Sequence, residues 1–439
     1  MTKVVILGAG LTGLSSAIHL EEKNFYDYKV FEKEDIPGGL CRSISDNGFT
    51  YDFTGHLLHL KTDYGKNFVE TLTKNSSLDE KFNLIPRRSF IYSNNTYTNY
   101  PFQTNLFGLP TSTISQCIEG YLKRKTYIKK PKNFYEWVLK YFGSGIGKHF
   151  LFPYNTKLYS FNPKKLLHSW TGRFVPQTNL KSMLDGALKE SSQKIGYNSM
   201  FYYPKTGGIN YLPNQMSKKI KNTIHTKYVA EKIDLKNKTI LFENGHEEKF
   251  EILINTIPLN KLLSITKTKS NTSFSQAKNK LICSSVLNFN IGVNVENVSQ
   301  KHWMYFPEKK YTFYRIGFWN NFSKSLVAKN CSAIYGEFSY HKNQTTTKQV
   351  NNLVQKAKKQ FLDHFGLNKN NIVNEKTLDI HHAYAIYDSW REKNLKKLHT
   401  TLQSESIFSI GRYGEWKYSS MEDAILDGQK TAFKILEQI

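Results

Sequence analysis

The chain has 439 residues, of which 39% are hydrophobic and 14% aromatic, enough to build a sizeable core and to exclude wholesale disorder. No apolar run approaches the ~18 residues of a membrane-spanning helix, so an integral membrane protein is excluded. Lys and Arg number 61 against 36 Asp and Glu, a net charge of +25 that favours anionic partners. The basic residues are spread along the chain without a long tail, and no recognised DNA or RNA module is visible, so nucleic acid is not expected as a partner.

The elements follow in chain order. Residues 3–7 read as a buried strand, followed by a glycine turn, a helix from about Leu14 to Lys23 and a second strand over 28–32, a βαβ opening. Because the N-terminus runs straight into that strand, no secretory signal is expected. Helical periodicity fills 105–195, notably Phe134–Phe142 and Leu180–Ser191. Strands are expected at 238–242 and 252–256, with Asn244-Gly245 as a hairpin turn between them. A further alternating stretch covers 285–293, and an amphipathic helix from Glu422 to Leu436 closes the chain. Cys41, Cys117, Cys283 and Cys331 form no CxxC pair, which fits a reducing cytoplasm and argues against disulfides or a metal site.

Gly8-Ala9-Gly10-Leu11-Thr12-Gly13 lies between the first strand and its helix. Glycines there permit a tight turn and let backbone approach a pyrophosphate, whose charge the helix N-terminus meets. Gly8, Gly10, Thr12 and Gly13 are therefore cofactor candidates. Glu32 ends the second strand, where a carboxylate can accept hydrogen bonds from ribose hydroxyls. Pro37-Gly38-Gly39-Leu40 adds a second close-approach loop. With Glu32 it resembles the amine-oxidase-like flavoproteins, which implies FAD rather than NAD. In Asp52-Phe53-Thr54-Gly55-His56, Gly55 and His56 suit a loop lying against the flavin ring.

Several separate segments carry a more specific resemblance. They are Tyr100-Pro101-Phe102-Gln103, Pro153-Tyr154-Asn155, Trp170 with Gly172, and Asn198 followed by Pro204 and Gly207-Gly208. They continue with Trp303-Met304-Tyr305-Phe306-Pro307, Phe313-Tyr314-Arg315, Tyr384, and Gly411-Arg412-Tyr413-Gly414 with Trp416 and Tyr418. In order and spacing the chain resembles the flavin-dependent UDP-galactopyranose mutases, closest to the eukaryotic-type branch. The resemblance implies an α/β fold: a Rossmann-type FAD-binding domain (1–95, 200–260 and 376–439), a helical insert lining the substrate site (105–199), and a substrate domain with an additional antiparallel sheet (261–375).

It also implies roles. Arginine presents a fork that matches phosphate oxygens. Arg315 and Arg412 would hold the diphosphate, with phenolic hydrogen bonds from Tyr305, Tyr384 and Tyr418. Tyr100 would stack on uracil, with Phe102 and Gln103 at its edge. Asn198 and Trp303 are sugar-side candidates, joined by Asn155 and Arg173. Val229, Leu40, Gly411 and Met421 complete the FAD contacts. The implied activity interconverts UDP-galactopyranose and UDP-galactofuranose through an N5 adduct of reduced FAD, without net redox, after priming by NAD(P)H or another reductant. A homo-oligomer is compatible with it.

Three positions depart from the family. Its arginine near Trp170 falls on Phe174, with Arg173 one residue earlier; its tryptophan is replaced by Tyr159, and a phenylalanine by His59. The last two alter the expected pocket, so another sugar nucleotide stays open as substrate. An amine-oxidase-like FAD oxidoreductase and a sugar-nucleotide binder with an inert flavin are the alternatives.

Overall fold

The computed structural model describes residues 2–73, 77–190, 199–267 and 272–439. Val4, Val5, Ile6 and Leu7 are all buried, as the interior of a sheet covered on both faces requires. Their strand, Thr2–Leu7, lies in an eight-stranded sheet, parallel to Tyr28–Phe31 on one side and to Glu247–Asn255 on the other. Ile224–His225 and Ile407–Ser409 extend the parallel part. The hairpin read from Asn244-Gly245 joins Thr239–Phe242 to Glu247–Asn255, with Gly245 at φ +83°. The first helix, Leu11–Glu21, begins three residues before the apolar periodicity suggested. Leu11, Thr12 and Gly13 are buried, so tertiary packing draws the last turn of the glycine loop into the helix despite glycine's poor propensity. The helix packs on Met421–Leu436, where the Ser15 hydroxyl donates to the Ile425 carbonyl at 2.6 Å.

A second, seven-stranded sheet runs in the order Ile372–Ala385, Cys283–Val293, Ser332–Tyr340, Arg315–Phe318, Trp303–Tyr305, Ser89–Ser93 and Thr96–Asn99. The expected limits at 95 and 376 therefore cut through one hairpin and one continuous strand. The sheet is also mixed, because Trp303–Tyr305 pairs parallel to Ser89–Ser93. Those strands come from distant parts of the chain, so no hairpin turn forces them to run antiparallel.

Side-chain alternation splits this sheet by chemistry. One face carries Leu287, Phe289, Ile291, Ile316, Phe318, Ile334 and Phe338, packed against the helix Thr347–Phe365. The register places Asn288, Glu337, Arg315 and Tyr305 side by side on the opposite face. Beside it stands the helical insert, with helices Thr111–Leu122, Phe134–Tyr141, Phe152–Tyr159 and Leu180–Leu188 around a core of Phe102, Phe134, Trp137, Phe150 and Trp170. Among the described residues no helix is long and apolar enough to cross a membrane.

Burial pushes several histidines well below their ordinary 6.5: His56, His59, His364 and His382 to about 4, and His302 to about 3. Each therefore stays neutral in the folded protein where the unfolded chain already takes up a proton. Stability from these groups is fully present above pH ~6.5 and is lost as pH falls towards ~4. The urea midpoint is expected to drop steadily between those values; a flat midpoint would show that these histidines are not held neutral.

Candidate functional site

The glycine loop has the features a dinucleotide needs. Gly10 caps the first helix without any side-chain hydrogen bond to its first turn, which leaves those N–H groups for an anion. Gly10 and Gly38 pair as a parallel bridge, and a Cβ on Gly39 would stand 3.2 Å from the Gly10 Cα, so the two glycine loops touch backbone to backbone. Glu32, buried at the end of its strand, accepts from the Ala9 N–H at 2.7 Å and the Glu34 N–H at 3.0 Å. A carboxylate has about four acceptor sites, so it keeps capacity for a ribose diol. Val229 follows Tyr228, whose N–H donates to the Glu32 carbonyl at 2.8 Å. A Cβ on Gly411 would lie 2.5 Å from the Thr12 hydroxyl, and Met421 opens the C-terminal helix against the first. Leu40 packs with Phe53, Val286, Ile380 and Ala383. These residues fit FAD.

The loop after Asp52 is held from both sides. The buried Asp52 carboxylate accepts from Ser43 and Tyr203 hydroxyls, each at 2.6 Å, and from the Ile209 N–H at 3.1 Å. Tyr335 of the second sheet then lies against Gly55, where a Cβ would come within 2.5 Å of the phenol oxygen. His56 sits next. Its low pKa comes first from burial, then from the positive charges of Arg412 and Arg315, which places both arginines close to it.

The arginines stand among tyrosines. Arg315 is clasped bidentately by Glu337, Nε to Oε2 at 2.9 Å and Nη2 to Oε1 at 2.8 Å, and that acid is fully buried. Burial alone would lower the Arg315 pKa, but Glu337 holds it well above its ordinary value. Arg412 donates to the Ser419 carbonyl at 2.9 Å and the Ala383 carbonyl at 3.0 Å, and its guanidinium lies 5.0 Å from the Tyr418 ring and 5.5 Å from that of Tyr384. Among the described residues no carboxylate pairs with it. A guanidinium has five N–H donors, so each arginine retains donors for an anion.

Tyr384 and Tyr418 stack at 6.1 Å, while Tyr305 meets Tyr100 at 5.3 Å and Tyr154 at 5.2 Å. Burial raises the Tyr305 and Tyr384 hydroxyls above their ordinary pKa despite the nearby arginines, so they remain protonated donors near neutral pH. Arg315, Arg412, Tyr100, Tyr305, Tyr384, Tyr418 and His56, from separate parts of the chain, thus come together.

Other candidates sit differently. Phe102 is wholly buried against Phe150, and the Gln103 amide is spent on the Pro176 carbonyl, so both side chains belong to the core of the insert. Asn155 donates to the Leu151 carbonyl within its own helix at 2.8 Å. Trp303, on the same face of the sheet as Tyr305, packs against Phe201 and Phe322, and His59 turns to the Met200 carbonyl at 3.1 Å. Tyr159 is buried beside Trp170 and Tyr384, and among the described residues its hydroxyl has no hydrogen-bond partner. The Arg173 side chain and Asn198 lie outside the described residues.

Glu337, Tyr335 and Lys157 carry little signal in the sequence. For Glu337 it is only an acid in the apolar strand Ala333-Ile334-Tyr335-Gly336-Glu337-Phe338. Lys157 donates to three carbonyls, Phe306 at 2.7 Å, Phe313 at 2.5 Å and Glu308 at 3.2 Å, matching the three donors of an ammonium. It thereby pins the connection between Tyr305 and Arg315 to the insert. Lys157→Met leaves those three carbonyls without their donor and is expected to lower stability by about 1–3 kcal/mol, read as a lower urea midpoint, with partial recovery in Lys157→Arg. An unchanged urea midpoint in Lys157→Met would remove that role.

Comparison with known proteins places this geometry. Over its whole length the chain is similar to a crystal structure of reduced UDP-galactopyranose mutase, with TM-score 0.91, 28% identity and 96% of that chain covered. A putative protoporphyrinogen oxidase from an Exiguobacterium species shares the fold at TM-score 0.75 and 13% identity, covering 99% of that chain. Sequence relatives match only short stretches. A zeta-carotene-forming phytoene desaturase of Myxococcus xanthus is 44% identical over 50 residues, 11% of this chain and 10% of its own length. Prenylcysteine oxidase 1 of Rattus norvegicus is 39% identical over 72 residues, 16% of this chain and 14% of its own. The family model for flavin-containing amine oxidoreductases matches residues 11–436. With nearly the whole chain matched and the glycine loops built to receive the dinucleotide, this is a member of the flavin-containing amine oxidoreductase family, and FAD is its cofactor.

Proposed function

We propose that the protein is a flavin-dependent mutase that interconverts UDP-galactopyranose and UDP-galactofuranose without net redox, in the cytoplasm, after reduction by NAD(P)H or another reductant. The observation that carries this reading is the pair Arg315 and Arg412 set among the same group of tyrosines, with Arg412 lacking a carboxylate partner among the described residues. A guanidinium so placed needs an anion, and a diphosphate supplies two charges at arginine-fork spacing. The full-length likeness to the reduced mutase supports the assignment.

Reduced FAD, when bound, supplies a nucleophilic nitrogen for the anomeric carbon of the sugar. The chain's own residues do the rest. Arg412 and the free edge of Arg315 bind the diphosphate and stabilise the charge that grows on it as the glycosidic bond breaks. Tyr305, Tyr384 and Tyr418 donate phenolic hydrogen bonds to the same oxygens, and Tyr100 offers a ring for the uracil. Neutral His56 adds no charge beside the arginines, so its loop can approach the flavin without competing for the anion. Tyr159, whose hydroxyl has no partner among the described residues, offers a hydrogen bond on the sugar side. No side chain is required as a nucleophile.

The test is anaerobic incubation of dithionite-reduced protein with UDP-galactofuranose, with an oxidised sample beside it, read by chromatography. Conversion to UDP-galactopyranose is expected in the reduced sample alone. Net oxidation of a substrate with release of peroxide would instead select an oxidase of the same family. FAD-loaded protein that does not bind UDP at all would sink the mutase reading.

A further inference from the structure

We propose that the outer face of the helical insert is a docking surface for an anionic lipid bilayer, on which the protein rests peripherally. This rests on charge and exposure alone and is independent of the mutase reading. Between Leu122 and Lys132 the chain places six basic residues in eleven and no acidic one. Leu122 is 59% exposed and Tyr127 75%, among the most exposed large apolar side chains described.

The fold extends this segment into a patch. Lys140 donates to the Lys129 carbonyl at 3.0 Å, His168 meets the Pro131 carbonyl at 3.1 Å, and Lys164 lies 5.1 Å from the Tyr135 ring. Lys132, Lys164 and Lys165 line a shallow hollow of about 400 Å³, with Asp388 its one acidic wall. Among the described residues no ion pair engages Lys129, Lys130, Lys164 or Lys165, so their charge is available to a partner.

The chemistry suits a membrane surface. Juxtaposed lysines are drawn to anionic headgroups, and an exposed leucine and tyrosine partition into the headgroup–acyl boundary. The hollow is of a size to seat a phosphate headgroup. The exposed Leu122 offers nothing to a nucleic-acid base, and because the Tyr127 ring could stack on one, short RNA is a control in the test.

Sedimentation of the full-length, FAD-loaded protein tests this, using phosphatidylcholine vesicles with and without added phosphatidylglycerol. Binding is expected only to the anionic vesicles. It should weaken about tenfold in the double variant Lys129→Glu/Lys130→Glu and also in Tyr127→Ser, with flavin absorbance and UDP affinity unchanged in both. Equal sedimentation with both vesicle types, or none with either, overturns the proposal. Loss in the lysine variant alone, together with equal binding to short RNA, reassigns the face to polyanions in general and also overturns it.

Discussion

Arg412→Ala is expected to weaken UDP binding by roughly 100-fold or more, the loss of about two charge-assisted hydrogen bonds worth ~1.5–3 kcal/mol each. Flavin absorbance and thermal stability should stay close to those of the unmodified protein. The guanidinium is half-buried, meets no carboxylate among the described residues, and donates to the carbonyls of Ser419 and Ala383, which tolerate water in its place. Arg412→Lys should fall between, keeping the charge and losing the fork. Isothermal titration with UDP reads the difference, and an unchanged affinity would remove Arg412 from the phosphate site. Arg315 makes a poorer probe. Its removal strands the fully buried Glu337 carboxylate, a change that typically costs about 3–5 kcal/mol, so lost binding would be confused with unfolding.

Gly13→Ala is expected to abolish FAD incorporation. A Cβ at this position would stand 1.9 Å from the Gly8 carbonyl oxygen and 3.1 Å from its carbon. Overpacking that side chains can relieve costs about 1–3 kcal/mol, but here the obstacle is backbone and cannot rotate away. Either the helix Leu11–Glu21 must back off from the strand or the Gly8–Gly10 turn must open, and both movements spoil the donors at the helix start. The purified variant should be colourless, and its flavin absorbance after reconstitution is the measurement. Gly172→Ala serves as control, because nothing among the described residues lies within 4 Å of a Cβ there. A yellow Gly13→Ala protein with ordinary FAD content would show that the close approach does not matter.

Much of this protein is legible in its amino-acid sequence. The strand over 3–7, the acid at 32 and the Asn244-Gly245 hairpin are local patterns and form where their chemistry places them, while the first helix starts three residues before its apolar periodicity. The C-terminal helix needs one adjustment: it starts at Met421, because Ser420 and Asp423 cap each other's backbone groups there. The arginine–tyrosine cluster is partly legible. Arg315, Arg412 and their tyrosines stand out as charge and phenol in aromatic surroundings, whereas Phe102, Gln103 and Asn155 carry the same motif letters and serve the interior of the insert instead.

By itself, the sequence determined the glycine loops, the carboxylate at the second strand's end and the choice of residues that can meet a diphosphate. These depend on properties that travel with a residue: the missing Cβ, the donor fork, the period of burial. Tertiary structure alone decided that the 89–99 hairpin joins the second sheet, that Glu337 orients Arg315, that Tyr335 backs Gly55, and that Lys157 fastens the loop between Tyr305 and Arg315. Each is a contact between segments far apart in the chain, and its energy comes from burial and pairing that exist only after the sheets and the insert have closed on one another.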